Sequence, residues 1–247
     1  MTTDIRLLIL SALATLITLS IHEFSHALAA YKLGDNTARN LGRLSLNPIK
    51  HLDPIGALCM ILFKFGWAKP VPINARNFRD PKHGFAISAL AGPLSNLIVA
   101  FFTSFAYLLA YALLREVSFA SNFGLQLAQN TLDFLFILQM INVGLAIFNL
   151  IPIPPLDGSR ILYSVLPPKA YFKVMKYEKT IYFVMIGWLF FGYVVSDALL
   201  RIPFIAGTPF LAFVAKIFSL SDILSYAINF ISELMLDFWG LIPFLKY

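Results

Sequence analysis

The chain is short of charge and almost free of cysteine. Charged residues make up 13% of its 247 residues, and there is one cysteine, Cys59. A soluble domain carries about 25% charge, so this complement cannot cover the surface of a soluble monomer without large apolar patches. One cysteine cannot close an internal disulfide, so the fold does not depend on oxidation. No repeat of 20–50 residues, low-complexity tract or appended soluble module interrupts the chain. What fills it instead is apolar: 59% hydrophobic residues, 24 of them Phe, and a mean hydropathy of +0.76. That is a membrane composition. The net charge of +6 does not point to nucleic acid, because the cations sit in short loops between long apolar runs.

Gly84 to Leu114 has no Asp, Glu, Lys, Arg or His over 31 residues. As a helix that run is about 46 Å long at about 1.5 Å per residue, enough for a hydrocarbon core of about 30 Å. Phe134–Leu156 is a second uncharged run, of 23 residues, and Ile181–Ser196 a third. A first span begins near Ile5 and runs into His22, Glu23 and His26 rather than into a small-residue cleavage site, which marks a retained span rather than a signal peptide. Pro54–Phe63 is too short to cross and reads as a half-depth piece. After Arg201, prolines and charges break the apolar text, leaving room for one or two further helices. The loop around Ala38–Leu46 and the stretch Trp67–Ile73 predict a small β element after the first span. The expected architecture is an all-α polytopic membrane protein of about five to six transmembrane or half-depth helices. Lys32–Lys82 and Arg160–Lys179 together hold 14 of the 19 basic residues, which predicts that both segments are cytoplasmic and the amino terminus is outside.

His22-Glu23-Phe24-Ser25-His26 carries the chemistry. On a helix, positions i and i+4 share a face, so both imidazoles can reach one metal ion, and Glu23 can take a proton from water on it. Ionisable residues inside a span are rare and mark function. Two histidines leave a zinc site incomplete, since catalytic zinc takes three protein ligands and keeps one position open. Asp157, after Asn149-Leu150-Ile151-Pro152-Ile153-Pro154-Pro155-Leu156, is the candidate third ligand. The alternative is a plain N-cap before the next helix. With neutral histidines, Zn²⁺, Asp157 and Glu23 sum to zero charge, which a low-dielectric site tolerates best. Of the other polar residues, His51 reads as a solvent-facing loop residue and His83 as interfacial. Asn130, Gln139 and Asn142 read as interhelical hydrogen-bonding groups.

These motifs, in this order, resemble the site-2 protease family of intramembrane zinc metalloproteases. The matching pieces are HEFSH, Gly92-Pro93-Leu94-Ser95-Asn96 and Asn149…Asp157-Gly158. Asn47-Pro48…Asp53-Pro54-Ile55-Gly56 and Trp67–Asn74 resemble its short prokaryotic branch, which lacks a PDZ or CBS module. The resemblance covers about Ile5 to Leu166. It implies a metalloprotease core over residues 1–166, while residues 167–247, which the resemblance does not cover, read from their apolar text as additional membrane helices. It also implies one Zn²⁺ per chain on His22, His26 and Asp157, with Glu23 as general base. Asn149 would bind the substrate backbone or the oxyanion, and Gly92 and Asn96 would support the middle span. The implied partners are a single-span membrane-protein substrate and the lipid bilayer, with no nucleic acid. The implied reaction is hydrolysis of a peptide bond in or near a transmembrane segment, and the basic loops predict that the site lies toward the cytoplasmic side of the cell membrane. The competing reading is a non-proteolytic membrane zinc-binding protein. Glu23 argues against that reading, because a structural zinc site needs no base and is closed by four ligands. A transporter ranks below both, for want of paired broken helices.

Overall fold

The computed structural model describes residues 5–56, 68–119, 121–200, 204, 208–210 and 220–246. Seven α-helices are described over these residues: α1 (Ile5–Lys32), α2 (Thr37–Asn40), α3 (Pro81–Leu114), α4 (Asn122–Leu150), α5 (Asp157–Val165), α6 (Pro168–Leu200) and α7 (Leu220–Gly240). Three of them, α1, α3 and α4, are long and apolar enough to cross a membrane. They coincide with the first three expected spans. The third uncharged run, Ile181–Ser196, lies within α6. This is an all-α membrane protein.

The middle span, α3, packs against α1, α4, α5 and α7, and α1 packs against α4 as well. Its start is specified locally. Asp80 caps it by accepting from the backbone N–H groups of Lys82 and His83, and Pro81 fills the first turn, where a missing N–H costs nothing. The end of α1 is equally defined. Gly34 takes φ 110. The Gly34 N–H then donates to Tyr31 O and the Asp35 N–H to Ala30 O, at 3.1 and 2.9 Å. This is a Schellman closure, whose left-handed residue favours glycine. The chain returns through a loop to α3, which runs antiparallel to α1. Thr18 of α1 meets Asn142 of α4, the amide donating to the hydroxyl at 2.8 Å. Gln139 donates to Ser232 O of α7 at 3.3 Å. Arg6 donates to Asn130 and pairs with Asp133 at 2.9 Å. The interhelical role expected of Asn130, Gln139 and Asn142 is therefore observed.

The expected β element is not formed: among the described residues there is no strand, only an isolated antiparallel bridge between Leu52 and Ala68. The loop satisfies its backbone through side chains instead. The Asp35 carboxylate, fully buried, accepts from Thr37 N, Asn74 N and Asn77 Nδ2 at 3.0, 2.7 and 2.7 Å and from the Thr37 hydroxyl. The turn at Asp35-Asn36-Thr37 leads into α2, where an extended segment was expected. Arg43 donates to Lys69 O at 2.6 Å. His51, read as solvent-facing, is 2% exposed and packed inside the loop, with its Nε2 2.6 Å from Ser45 O. Pro70 and Pro72 bring no N–H, so this stretch cannot sustain a ladder. Of the expected half-depth piece Pro54–Phe63, residues 54–56 are helical and capped by Asp53, which accepts from Ile55 N and Gly56 N. Residues 57–67, Cys59 among them, lie outside the described residues.

Candidate metal centre

His22 and His26 stand one turn apart on the buried face of α1. Their rings meet edge to face, with centroids 4.5 Å apart. Asp157 reaches them from the first turn of α5, after the proline-broken segment that ends α4. Gly158 makes that approach possible, because a side chain there would collide with the Leu150 and Ile151 carbonyls that close α4. The three donor atoms form a near-equilateral triangle. Asp157 Oδ2 is 3.2 Å from each Nε2, and the two Nε2 atoms are 3.0 Å apart.

That triangle fits a metal better than it fits a hydrogen-bond network. Tetrahedral zinc with bonds of about 2.0–2.1 Å separates its ligands by about 3.3 Å. The His26 tautomer is set by its outer contact: Nδ1–H donates to Ser88 O at 2.7 Å, which leaves Nε2 as a lone pair facing the triangle. The His26 Nε2 lone pair and the Asp157 oxygen are acceptors that face each other, and His22 Nε2 joins them as a third when its proton sits on Nδ1. Asp157 Oδ2 is buried without a proper hydrogen bond. This is the donor set that Zn²⁺ takes in catalytic sites, two neutral imidazoles and one carboxylate.

Gly92 of α3 is the fourth wall. A Cβ there would lie inside van der Waals contact of the His26 ring and 2.7 Å from His22 Cε1, a distance real Cβ atoms do not reach. Only a hydrogen fits at Gly92, where a methyl group would take the space of the two rings. Asn96, one turn further along α3, is fully buried, and neither of its amide atoms has a hydrogen-bond partner.

Glu23 is buried beside the triangle. Its Oε2 accepts the Val71 N–H at 2.8 Å, and Val71 itself packs against Ala27 and Ala38. The loop thus clamps one carboxylate oxygen and leaves Oε1 open. The sequence carried a signal for this contact only in retrospect. Val71 lies between two prolines, so it holds the sole N–H of residues 70–72, and that donor needs a partner.

Asn149 is not part of the triangle. It sits half-buried at the end of α4, with Nδ2 donating to Leu145 O at 3.0 Å, and keeps its second amide N–H. His51 and His83 are also elsewhere, His83 exposed and paired with Asp80 at 2.7 Å. Among the described residues, His22, His26 and Asp157 are the group of histidine, cysteine and acidic side chains placed to hold a metal.

The comparisons with known proteins agree with this geometry. The protein named "Putative zinc metalloprotease YwhC" of Bacillus subtilis (strain 168) is 42% identical over 163 residues, covering 66% of this chain and 72% of that relative. "Putative zinc metalloprotease Rip2" of Mycolicibacterium smegmatis is 31% identical over 157 residues, which span 62% of this chain and 54% of that relative. Rip2 of Mycobacterium tuberculosis (H37Rv) is 28% identical over the same length and shares. No solved structure matches. A family model, Peptidase family M50, matches residues 10–192, from within α1 through the metal triangle into α6. With that match spanning most of the chain, the protein belongs to peptidase family M50, the site-2 protease family.

Proposed function

We propose that this peptidase is a zinc-dependent intramembrane protease that hydrolyses a peptide bond in or near the transmembrane segment of a single-span membrane protein. The observation that carries the reading is the triangle of His22 Nε2, His26 Nε2 and Asp157 Oδ2 beside Glu23, set among helices of membrane-spanning length. Residues 1–166 are read as the protease core and 167–247 as further membrane helices that buttress it.

Zinc held by these three ligands supplies Lewis acidity, polarising a carbonyl and acidifying water. Glu23 takes the proton of the attacking water on its open Oε1 and later delivers it to the leaving nitrogen. Val71 keeps the carboxylate in place while this happens, so the base does not need to be ordered during the reaction. Asn149, on the family resemblance, offers its remaining amide N–H to the substrate backbone or the oxyanion. A helical substrate hides its carbonyls in its own hydrogen bonds and must unwind first. The stretch at 70–72 has no free N–H, since Pro70 and Pro72 lack one and Val71 gives its own to Glu23. Pairing of an unwound substrate there would therefore rest on the stretch's carbonyls.

The 14 basic residues of Lys32–Lys82 and Arg160–Lys179 support a reading in which the loop side, and the site with it, faces the cytoplasm. Probes in both loops, on a Cys59→Ser background, should stay unmodified by an impermeant thiol reagent on intact cells. Labelling of either loop would refute this orientation.

The function is tested with Glu23→Gln. The purified parent should hold about one zinc per chain and cut single-span substrates in a chelator-sensitive way. The variant should keep its zinc while cleavage falls about 10²–10⁴-fold, the usual cost of losing a general base. Cleavage at the parental rate would refute the mechanism. Loss of zinc would make Glu23 a ligand and favour the binding-protein reading.

A further inference from the structure

The two histidines of the triangle are not equally supported. His26 Nδ1–H is held by Ser88 O. His22 Nδ1 is buried with no partner. A metal on Nε2 requires the proton on Nδ1, so His22 carries a buried donor with nothing to receive it, a costly arrangement inside a membrane.

The complementary acceptors lie one turn deeper. Gly92 faces both rings. Because α3 runs antiparallel to α1, the turn after Gly92 carries Asn96 to the depth of Thr18, the turn before His22. Asn142 of α4 is at that depth too, since its amide donates to the Thr18 hydroxyl at 2.8 Å. Asn96 and Asn142 are fully buried, as is Thr18. Asn96 Oδ1, Asn96 Nδ2 and Asn142 Oδ1 are all without partners. The antiparallel register thus brings one donor from His22, an acceptor–donor pair from Asn96 and an acceptor from Asn142 to neighbouring turns of the same three helices.

We propose that Asn96 is the positioning residue for His22, receiving its Nδ1–H through a buried water that Asn142 also holds. A water there has three to four partners, the number a buried water takes, and it gives the His22 N–H an acceptor while donating to the Asn96 and Asn142 amide oxygens. It fixes the His22 tautomer and ring angle as Ser88 O does for His26, so that both Nε2 lone pairs point into the triangle. This inference rests on the zinc reading above, and its test measures zinc rather than cleavage.

The test is chelator competition on the full-length purified protein, paired with thermal unfolding of its zinc-free form. Asn96→Leu keeps the volume and removes both polar atoms. Zinc affinity should fall about 10–100-fold, the usual effect of losing an outer partner of a metal-ligating histidine. Asn96→Ser, which keeps a hydroxyl for the water, should recover most of that loss. The zinc-free protein should unfold at nearly the parental temperature in both, because the water bond matters once the metal fixes the proton. Parental zinc affinity in Asn96→Leu would overturn the proposal. So would a fall in zinc-free stability that Ser does not relieve, since Asn96 would then only join helices. If Asn96→Leu does not assemble, Asn96→Ser against Asn96→Ala makes the same comparison, and equal zinc affinities there refute the proposal. If the parent binds no zinc, the zinc reading itself falls, and this inference with it.

Discussion

The two halves of α3 are built from different materials for different ends. The half near the loops presents Gly84, Ser88, Ala89 and Gly92 to its neighbours. Small residues let helix backbones come close. Here the closeness is used for chemistry: Ser88 O reaches His26, and Gly92 leaves room for two imidazoles. The far half meets α7 through aromatic bulk. Phe101 and Phe105 lie 4.7 and 4.8 Å, centroid to centroid, from Trp239, and Leu108 and Ala112 pack with Leu245. In lipid, helices gain nothing by hiding apolar surface from water, so association rests on van der Waals contact and a few hydrogen bonds. The first seam gives up contact area to make a site, and the second supplies contact area and no site.

The sharpest way to break this contrast is Gly92→Ala. One methyl group on the tight seam would lie inside the His26 ring and press on His22. Neither ring can move away without abandoning the triangle. Zinc content should fall from about one per chain to well below it, with cleavage lost in parallel. Gly144→Ala is the control. There the new methyl meets the flexible Ile228 Cδ1 at 3.2 Å on α7, and zinc content should stay parental. If Gly92→Ala binds zinc normally, the seam is not the wall of the site.

A second test concerns how the loop reaches Glu23. Asp35 ties both ends of the loop, Thr37 on one side and Asn74 and Asn77 on the other. Burial alone would raise its carboxyl, but hydrogen bonds from Thr37, Asn77 and Asn74 outweigh this and hold it below the ordinary aspartate range. A carboxylate with a depressed folded pKa stabilises the protein fully above its unfolded value of about 3.9, and that contribution is lost as pH falls through the lower folded value. Hydrogen bonds to a charged group contribute about 1.5–3 kcal/mol each. Asp35→Ala should therefore cost at least about 2 kcal/mol at neutral pH. It should expose the loop to limited proteolysis and slow cleavage by loosening Val71 from Glu23, with zinc content unchanged. Wild-type resistance to proteolysis in the loop should hold at pH 5 and fail in strong acid. If the variant's loop is as resistant as the parent's, Asp35 is not the tie.

How much of this was legible in the sequence differs along the same line. The spans were readable because uncharged runs such as Gly84–Leu114 have one physical solution in lipid. The grouping of His22, His26 and Asp157 was readable because HEFSH on a helix and an aspartate after a proline break each state a geometry. The loop was not. Its residues alternate weakly, as strands do, yet Asp35, Arg43 and Glu23 satisfy its backbone from positions 26–48 residues away. Such contacts leave no local pattern. His51 was misjudged for the same reason, since its burial comes from Ser45 and Arg43 folding over it. Gly92 could be matched to a motif, but the volume it must leave empty is a property of two helices together. The α3–α7 seam was equally hidden, because Phe in a span looks the same whether it faces lipid or Trp239.

The smallest expected effect sharpens the contrast from the aromatic side. Trp239 Nε1–H donates to Phe101 O at 2.9 Å, a bond from α7 to a backbone carbonyl of α3. Trp239→Phe keeps a ring against Phe101 and Phe105 and removes only that donor. Hydrogen bonds between membrane helices average about 0.6 kcal/mol, because the unfolded chain in lipid finds other partners. The carbonyl left behind retains its place in the helix ladder, so no large desolvation cost is added. The variant should unfold only slightly below the parent, while zinc content and cleavage stay parental, because no atom of the triangle touches this seam. Trp239→Ala, which deletes the ring contacts as well, should lower stability much further and still leave zinc binding intact in the folded protein. A loss of zinc in Trp239→Phe would mean that the two halves of α3 move as one body, and the separation between a chemical seam and a packing seam would fail.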